Sequence, residues 1–134
     1  MNKAAGRRFE ISVRKDLESD GWIVCKWTNN VENDKIIPAK HKFNPFTKVM
    51  SYGNGFPDFV CFKRIRTAGV GLSYDYEDKP LYEVIGVESK MGGYLDKNEK
   101  VKCLWLINNK VFNYILIASR NKYKRGKILY NRFK

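Results

Sequence analysis

The chain is 134 residues long, 43% hydrophobic and 14% aromatic, which suits one folded domain with a real core and excludes a disordered tail. Its 26 Lys and Arg against 14 acids give a net charge of +12, so the expected partner is a polyanion such as DNA or RNA. No apolar run is long enough to span a bilayer, no basic amphipathic helix offers itself to a membrane surface, and the first eight residues lack the apolar core of a signal peptide, so the expectation is an intracellular, cytoplasmic or DNA-associated protein with no membrane partner.

From about Ala4 to Asp20 the pattern predicts a helix. Ala5, Phe9, Val13 and Leu17 recur every four positions as an apolar stripe, and Gly21 closes it. Glu10 falls about 20° from Leu17 and about 60° from Val13 around the helix axis, on or beside the buried side. A carboxylate there needs compensation, from Arg14 one turn on or from a metal. Trp22 to Trp27 reads as a short strand.

The polar stretch at about 28–55 is broken by Pro38, Pro45, Gly53 and Gly55. Either it hides strands, with Lys35 to Ile37 and Thr47 to Met50 as candidates, or it is a functional arm. Lys35, Lys40, His41, Lys42 and Lys48 make it basic, with Phe43, Phe46 and Tyr52 interleaved. That mixture suits a DNA-contacting loop and equally a solvated loop anchored by its aromatics.

Phe56 to Phe62 is apolar on both sides apart from Asp58, as a central strand is. Leu81 to Lys90 is its expected antiparallel partner. Facing Asp58 against Glu88 centres the hairpin near Ser73, in turn-forming sequence. Asp96 and Glu99 have capping-box spacing and predict a helix from Lys97 to about Asn109, with Val101, Leu104, Trp105 and Asn108 inward. Val111 to Ser119 is another apolar strand. The last fifteen residues, about 120–134, are basic, and Lys124-Arg125-Gly126-Lys127 reads as a hairpin turn able to track a phosphate backbone or complete a dimer edge. The order α, β, β, β, α, β predicts an α/β fold: a central mixed sheet flanked by helices. Cys25, Cys61 and Cys103 each lie in an apolar run and are expected buried and reduced. With no CxxC and one histidine, the usual zinc sites are not expected.

The chemistry lies in Gly55-Phe56-Pro57-Asp58-Phe59-Val60 and Val87-Glu88-Ser89-Lys90. Residues two apart on a strand share a side, so Glu88 and Lys90 form at least an ion pair. With Asp58 brought alongside, the group takes the form of a divalent-metal site with a positioned cation, since hard cations take oxygen ligands.

Pro57-Asp58 followed by Glu88-x-Lys90 resembles the PD-(D/E)xK nuclease superfamily. The opening Gly6-Arg7-Arg8-Phe9-Glu10-Ile11-Ser12-Val13, running on to Gly21-Trp22, is similar to the first helix of archaeal Holliday-junction resolvases and of VRR-NUC nucleases. The resemblance spans roughly Ala5 to Ile117. It implies a restriction-endonuclease-like αβββαβ core and Mg²⁺-dependent hydrolysis of DNA phosphodiester bonds, with Mn²⁺ able to substitute. Asp58, Glu88 and the backbone carbonyl of Ser89 would hold the metal, Glu10 a second metal or its water, and Lys90 would orient water or stabilise charge. Glu99 stands where such proteins often carry a glutamine, and Ser51 where resolvase-like members place a loop serine. Arg7, Arg8, Lys40, Lys42, Lys48, Ser51, Lys122, Lys124, Arg125 and Lys127 are the expected DNA contacts. The reaction expected first is that of a homodimeric junction resolvase. The alternatives are another structure-specific or restriction-type endonuclease, or a binding module without catalysis. A composition rich in Lys, Arg and Tyr points toward a viral or archaeal source.

Overall fold

The apolar stripe of the first segment becomes the inner side of α1 (Lys3–Ser19), where Val13 and Leu17 are fully buried. Gly21, at φ +93°, ends the helix. Its N–H donates to the Glu18 carbonyl and that of Trp22 to the Leu17 carbonyl, the paired closure a left-handed residue allows. The computed structural model describes residues 3–40, 42–51, 55–65 and 80–134.

Five strands form one mixed sheet: β1 (Ile23–Lys26), β6 (Phe59–Ile65), β7 (Leu81–Ser89), β8 (Ile115–Arg120) and β9 (Ile128–Arg132). Their spatial order is β1-β6-β7-β8-β9, antiparallel except for β7 beside β8. That parallel pair needs a crossover, which α2 (Lys97–Asn108) supplies. The protein is thus α/β, with a mixed five-stranded sheet and, among the described residues, two helices. Phe59 faces Val87 and Ile65 faces Leu81. Extended by one residue, this register sets Asp58 against Glu88, as the sequence predicted. The hairpin apex near Ser73 lies outside the described residues.

Strand alternation divides the core into two layers. Val13, Leu17, Val24, Phe59, Cys61, Ile85, Val87 and Ala118 pack between α1 and one sheet face. Phe56, Cys103, Leu106, Phe112, Ile115 and Ile117 pack on the α2 side. Gly86 is the tight point of the second layer, because a Cβ there would lie 2.8 Å from Pro57 Cγ and 3.1 Å from the Phe112 ring. Gly86→Ala should therefore lower stability by roughly 1–3 kcal/mol through overpacking, read by urea unfolding. An unchanged midpoint would mean that Pro57 and Phe112 give way freely.

Several expectations need correction. Of the two readings of the basic loop at about 28–55, the one with hidden strands holds, with other bounds. The stretch holds two hairpins, β2 (Asn29–Glu32) with β3 (Lys35–Pro38) and β4 (Lys42–Asn44) with β5 (Val49–Ser51). On α2 the buried residues are Cys103 and Leu106, while Val101, Leu104 and Asn108 are exposed. The capping box turns Glu99 toward the sheet, and Cys103 and Leu106 follow it at helical spacing. Cys25 is exposed on edge strand β1, since Val24 takes the inward position. The last long strand starts at Ile115, because Lys110 at φ +55° and the bonds Lys110 N–H to Ile107 and Val111 N–H to Leu106 first close α2.

Both hairpins are inserted between the neighbouring strands β1 and β6. Trp27 N–H donates to the Asp58 carbonyl (2.9 Å), Phe56 N–H to the Asn29 carbonyl (2.9 Å) and Ala39 N–H to the Thr28 carbonyl (2.8 Å). Gly55 allows this closure, since a Cβ there would sit on the carbonyl oxygens of Trp27 and Asn29.

Candidate active site

Because β6 and β7 run antiparallel, the start of one and the end of the other meet at the same edge of the sheet. Asp58 Oδ2 accepts from both Ser89 N–H (2.8 Å) and Ser89 Oγ–H (2.6 Å). Glu88 Oε1 accepts from Asp58 N–H at 3.0 Å. Each acid is thus positioned by the other strand. Glu88 is 5% exposed, among the few buried polar residues of the described chain. Burial first, then the charge of Asp58 and a hydrogen bond shared with its side chain, push the Glu88 carboxyl up to about 10.

Lys90 lies on the same side of β7 as Glu88, with Nζ 3.7 Å from Glu88 Oε2 and in close contact with Glu99 Oε2. Its partial burial works against the charge. The hydrogen bond to Glu99 and the nearby charges of Glu88, Glu99 and Asp58 outweigh that and raise it above the ordinary lysine value. The contact with Glu99 thus favours the charged form of Lys90.

Glu99 holds both ends of this arrangement. Oε1 accepts from Asp96 N–H to complete the capping box, and Oε2 meets Lys90. Its spacing from Asp96 announced the cap, but nothing in the sequence announced the contact with Lys90. That contact depends on where the crossover sets α2 down.

Glu10 is half buried, and its compensation is not Arg14. Arg14 bonds the Val24 carbonyl and pairs with Glu18, while Glu10 stands 4.0 Å from Lys26 Nζ. Desolvation and then the Asp58 charge raise the Glu10 carboxyl, against Lys26 and Arg7. So Glu10 looks onto the same acids from α1 without joining their hydrogen bonds. Among the described residues, no three His, Cys, Asp or Glu side chains gather as a group able to hold a metal. The close pair is Asp58 with Glu88.

No protein-family model, curated protein or solved structure matches this chain. No described helix is long and apolar enough to cross a membrane.

The remaining expected DNA contacts are spread more widely. Arg7 and Arg8 are exposed on α1, Lys40 follows β3, and Lys48 is exposed in the β4–β5 turn at φ +54°. Lys42 and Ser51 pair in backbone register at the foot of that hairpin. Lys122, Lys124, Arg125 and Lys127 are all exposed between β8 and β9. His41 and Tyr52 lie outside the described residues.

Proposed function

We propose that the chain is a Mg²⁺-dependent endonuclease that hydrolyses DNA phosphodiester bonds, a member of the PD-(D/E)xK superfamily with a restriction-endonuclease-like core. The observation that carries this reading is the meeting of Asp58, buried Glu88 and Lys90 at one edge of a mixed sheet. The residues fit a hard divalent cation. The Asp58 charge adds to the cost of ionising Glu88, and a cation between the two carboxylates would relieve it. Mg²⁺ asks for no more than one or two carboxylates beside water and phosphate oxygens. Asp58 and Glu88 would hold it, with the Ser89 carbonyl as the third expected donor. The bound ion would supply Lewis acidity and a more acidic water.

The chain's own groups do the rest. Ser89 fixes the Asp58 carboxylate through two donors, so its rotamer is set before substrate arrives. Lys90, held charged by Glu99, presents an ammonium toward the charge that develops on phosphorus. Glu10 faces the pair from α1, where it can accept from a water of the site. Lys90→Ala should slow cleavage about a hundredfold while Mg²⁺ affinity holds or rises, as measured by single-turnover rates beside metal titration. A loss confined to metal affinity would contradict this role.

The similarity of α1 to resolvase first helices favours a homodimer acting on four-way junctions, whose two-fold symmetry a dimer would match. One observation favours a binding module without chemistry: the described acids form no three-member metal group. Labelled four-way junction, flap, duplex and single-stranded DNA, incubated with Mg²⁺ or chelator, separate these readings. Paired symmetric nicks in the junction are the expected result. Cutting of the other DNAs would indicate a different endonuclease, and binding without cutting under any metal would leave the module.

A further inference from the structure

A cleft of about 580 Å³ opens between the N-terminal half of α1 and the β8–β9 turn. Arg8, Arg120, Lys122, Arg125 and Lys127 line it, over a floor that includes Phe9 and Ile128, and no carboxylate is among its lining residues. Among the described residues, the cations in ion pairs are Arg14, Lys26, Lys63 and Lys90, none of them from this cleft. Five like charges around one concavity repel one another, and an anion seated among them relieves that repulsion. On a convex solvated face the same charges would diverge into water.

The cleft lies at the acids' end of the sheet. Lys90 N–H donates to the Ala118 carbonyl, and two residues on Arg120 N–H donates to the Met91 carbonyl. The end of β8 thus leads from the Lys90 backbone into the cleft wall. On α1, Arg8 and Ser12 line the cleft while Glu10, between them, turns toward Lys26 and Asp58.

We propose that this cleft seats consecutive backbone phosphates of a DNA strand, the sugars lying over Phe9 and Ile128 and the cations taking the phosphate oxygens. Such contacts fix where a strand lies and carry no base preference. The inference deepens the nuclease reading by naming a strand-seating surface, yet its test involves no cutting.

Binding of a fluorescein-labelled DNA is measured by anisotropy in chelator over a series of salt concentrations. Arg125→Ala with Lys127→Ala should weaken binding about tenfold and lower the salt slope by about 2, one counterion-release unit per lost phosphate contact. Lys110→Ala, in the turn at the opposite end of β8, should change affinity less than about twofold. A loss per removed charge that is the same in both would mean that net charge alone acts, and no loss in the double variant would also overturn the proposal. In the unmutated protein, the Ser12 and Gly126 amide resonances should shift on titration with a short oligonucleotide. Inorganic phosphate at matched phosphate concentration should leave them in place. Equal shifts with both would reduce the cleft to a simple anion pocket and overturn the strand-seating role. If this pattern holds while no DNA is ever cut, the nuclease reading fails and the cleft stands.

Discussion

Asp58→Ala should lower Mg²⁺-dependent cleavage roughly a thousandfold while DNA affinity in chelator stays within about twofold, because the phosphate contacts lie elsewhere. The side chain is the acceptor for both Ser89 donors, so alanine also strands a part-buried N–H and hydroxyl at about 1–3 kcal/mol. Asp58→Asn separates the two effects. Its amide oxygen can still accept from Ser89, so it should unfold near the parent temperature yet be as inactive as alanine. Cleavage by Asp58→Asn at more than about a tenth of the parent rate would mean that the carboxylate charge is not what the site uses. Cleavage by neither, with affinity lost as well, would make Asp58 a structural residue.

Glu88 sets the pH dependence. Burial and the charge of Asp58 raise its carboxyl from the ordinary 4.5 to about 10. A group whose folded value is raised contributes stability that is complete below its unfolded value and is lost as pH climbs through the folded one. Metal-free protein should therefore lose stability across about pH 4.5 to 10, by no more than about 1.4 kcal/mol per pH unit from this group. Between pH 6 and pH 9 that is at most about 4 kcal/mol, a fall in Tm of up to roughly 12–25 °C at about 3–6 °C per kcal/mol. Glu88→Gln, which cannot ionise, should flatten the slope and be more stable than the parent at pH 9. Mg²⁺ binding needs the ionised carboxylate and displaces its proton. The ion should thus raise Tm more at pH 9 than at pH 6 in the parent and leave Glu88→Gln unmoved. Thermal scans of both proteins at the two pH values, with and without Mg²⁺, decide it. A parent profile that parallels Glu88→Gln would show that Glu88 already ionises freely.

Much of this arrangement could be read from the chain before folding was considered. Strand periodicity places Glu88 and Lys90 on one side, and facing Asp58 against Glu88 centres the turn near Ser73 in turn-forming sequence, because an antiparallel register is fixed by a single sum; the observed register agrees. The Asp96–Glu99 box located the start of α2 for the same local reason. What failed was long-range. The inward side of α2 was misassigned because Val101 and Leu104 are apolar by type, whereas the side that packs is chosen by Glu99 reaching Lys90 across the crossover. Helix spacing offers Glu10 Arg14 as a partner, with a metal as the alternative, whereas Lys26 arrives from β1 through tertiary packing. The hairpins of 28–55 were only partly visible, since β2 and β4 are short, polar and nearly without apolar alternation. The Arg8–Lys127 cleft joins residues more than a hundred positions apart, and no local pattern reports such a pairing.

The insertion of β2–β5 between β1 and β6 leaves the five-stranded sheet with a graft point. Its two feet are already tied together by the bonds from Trp27 N–H to the Asp58 carbonyl and from Phe56 N–H to the Asn29 carbonyl, so the ladder between β1 and β6 meets the inserted hairpins as one closed loop of adjustable size. Doubling such a loop adds only about 0.6 kcal/mol of closure entropy. Descendants of this chain can therefore lengthen or trim the β4–β5 hairpin at little thermodynamic penalty and leave Asp58 and Glu88 in register, whereas β2–β3 is held by Val31 in the core. Changes in the arms reach the acids by two routes: the backbone bond from Trp27 to Asp58, and Val31 of β2, which packs in the α2-side core beside Phe56.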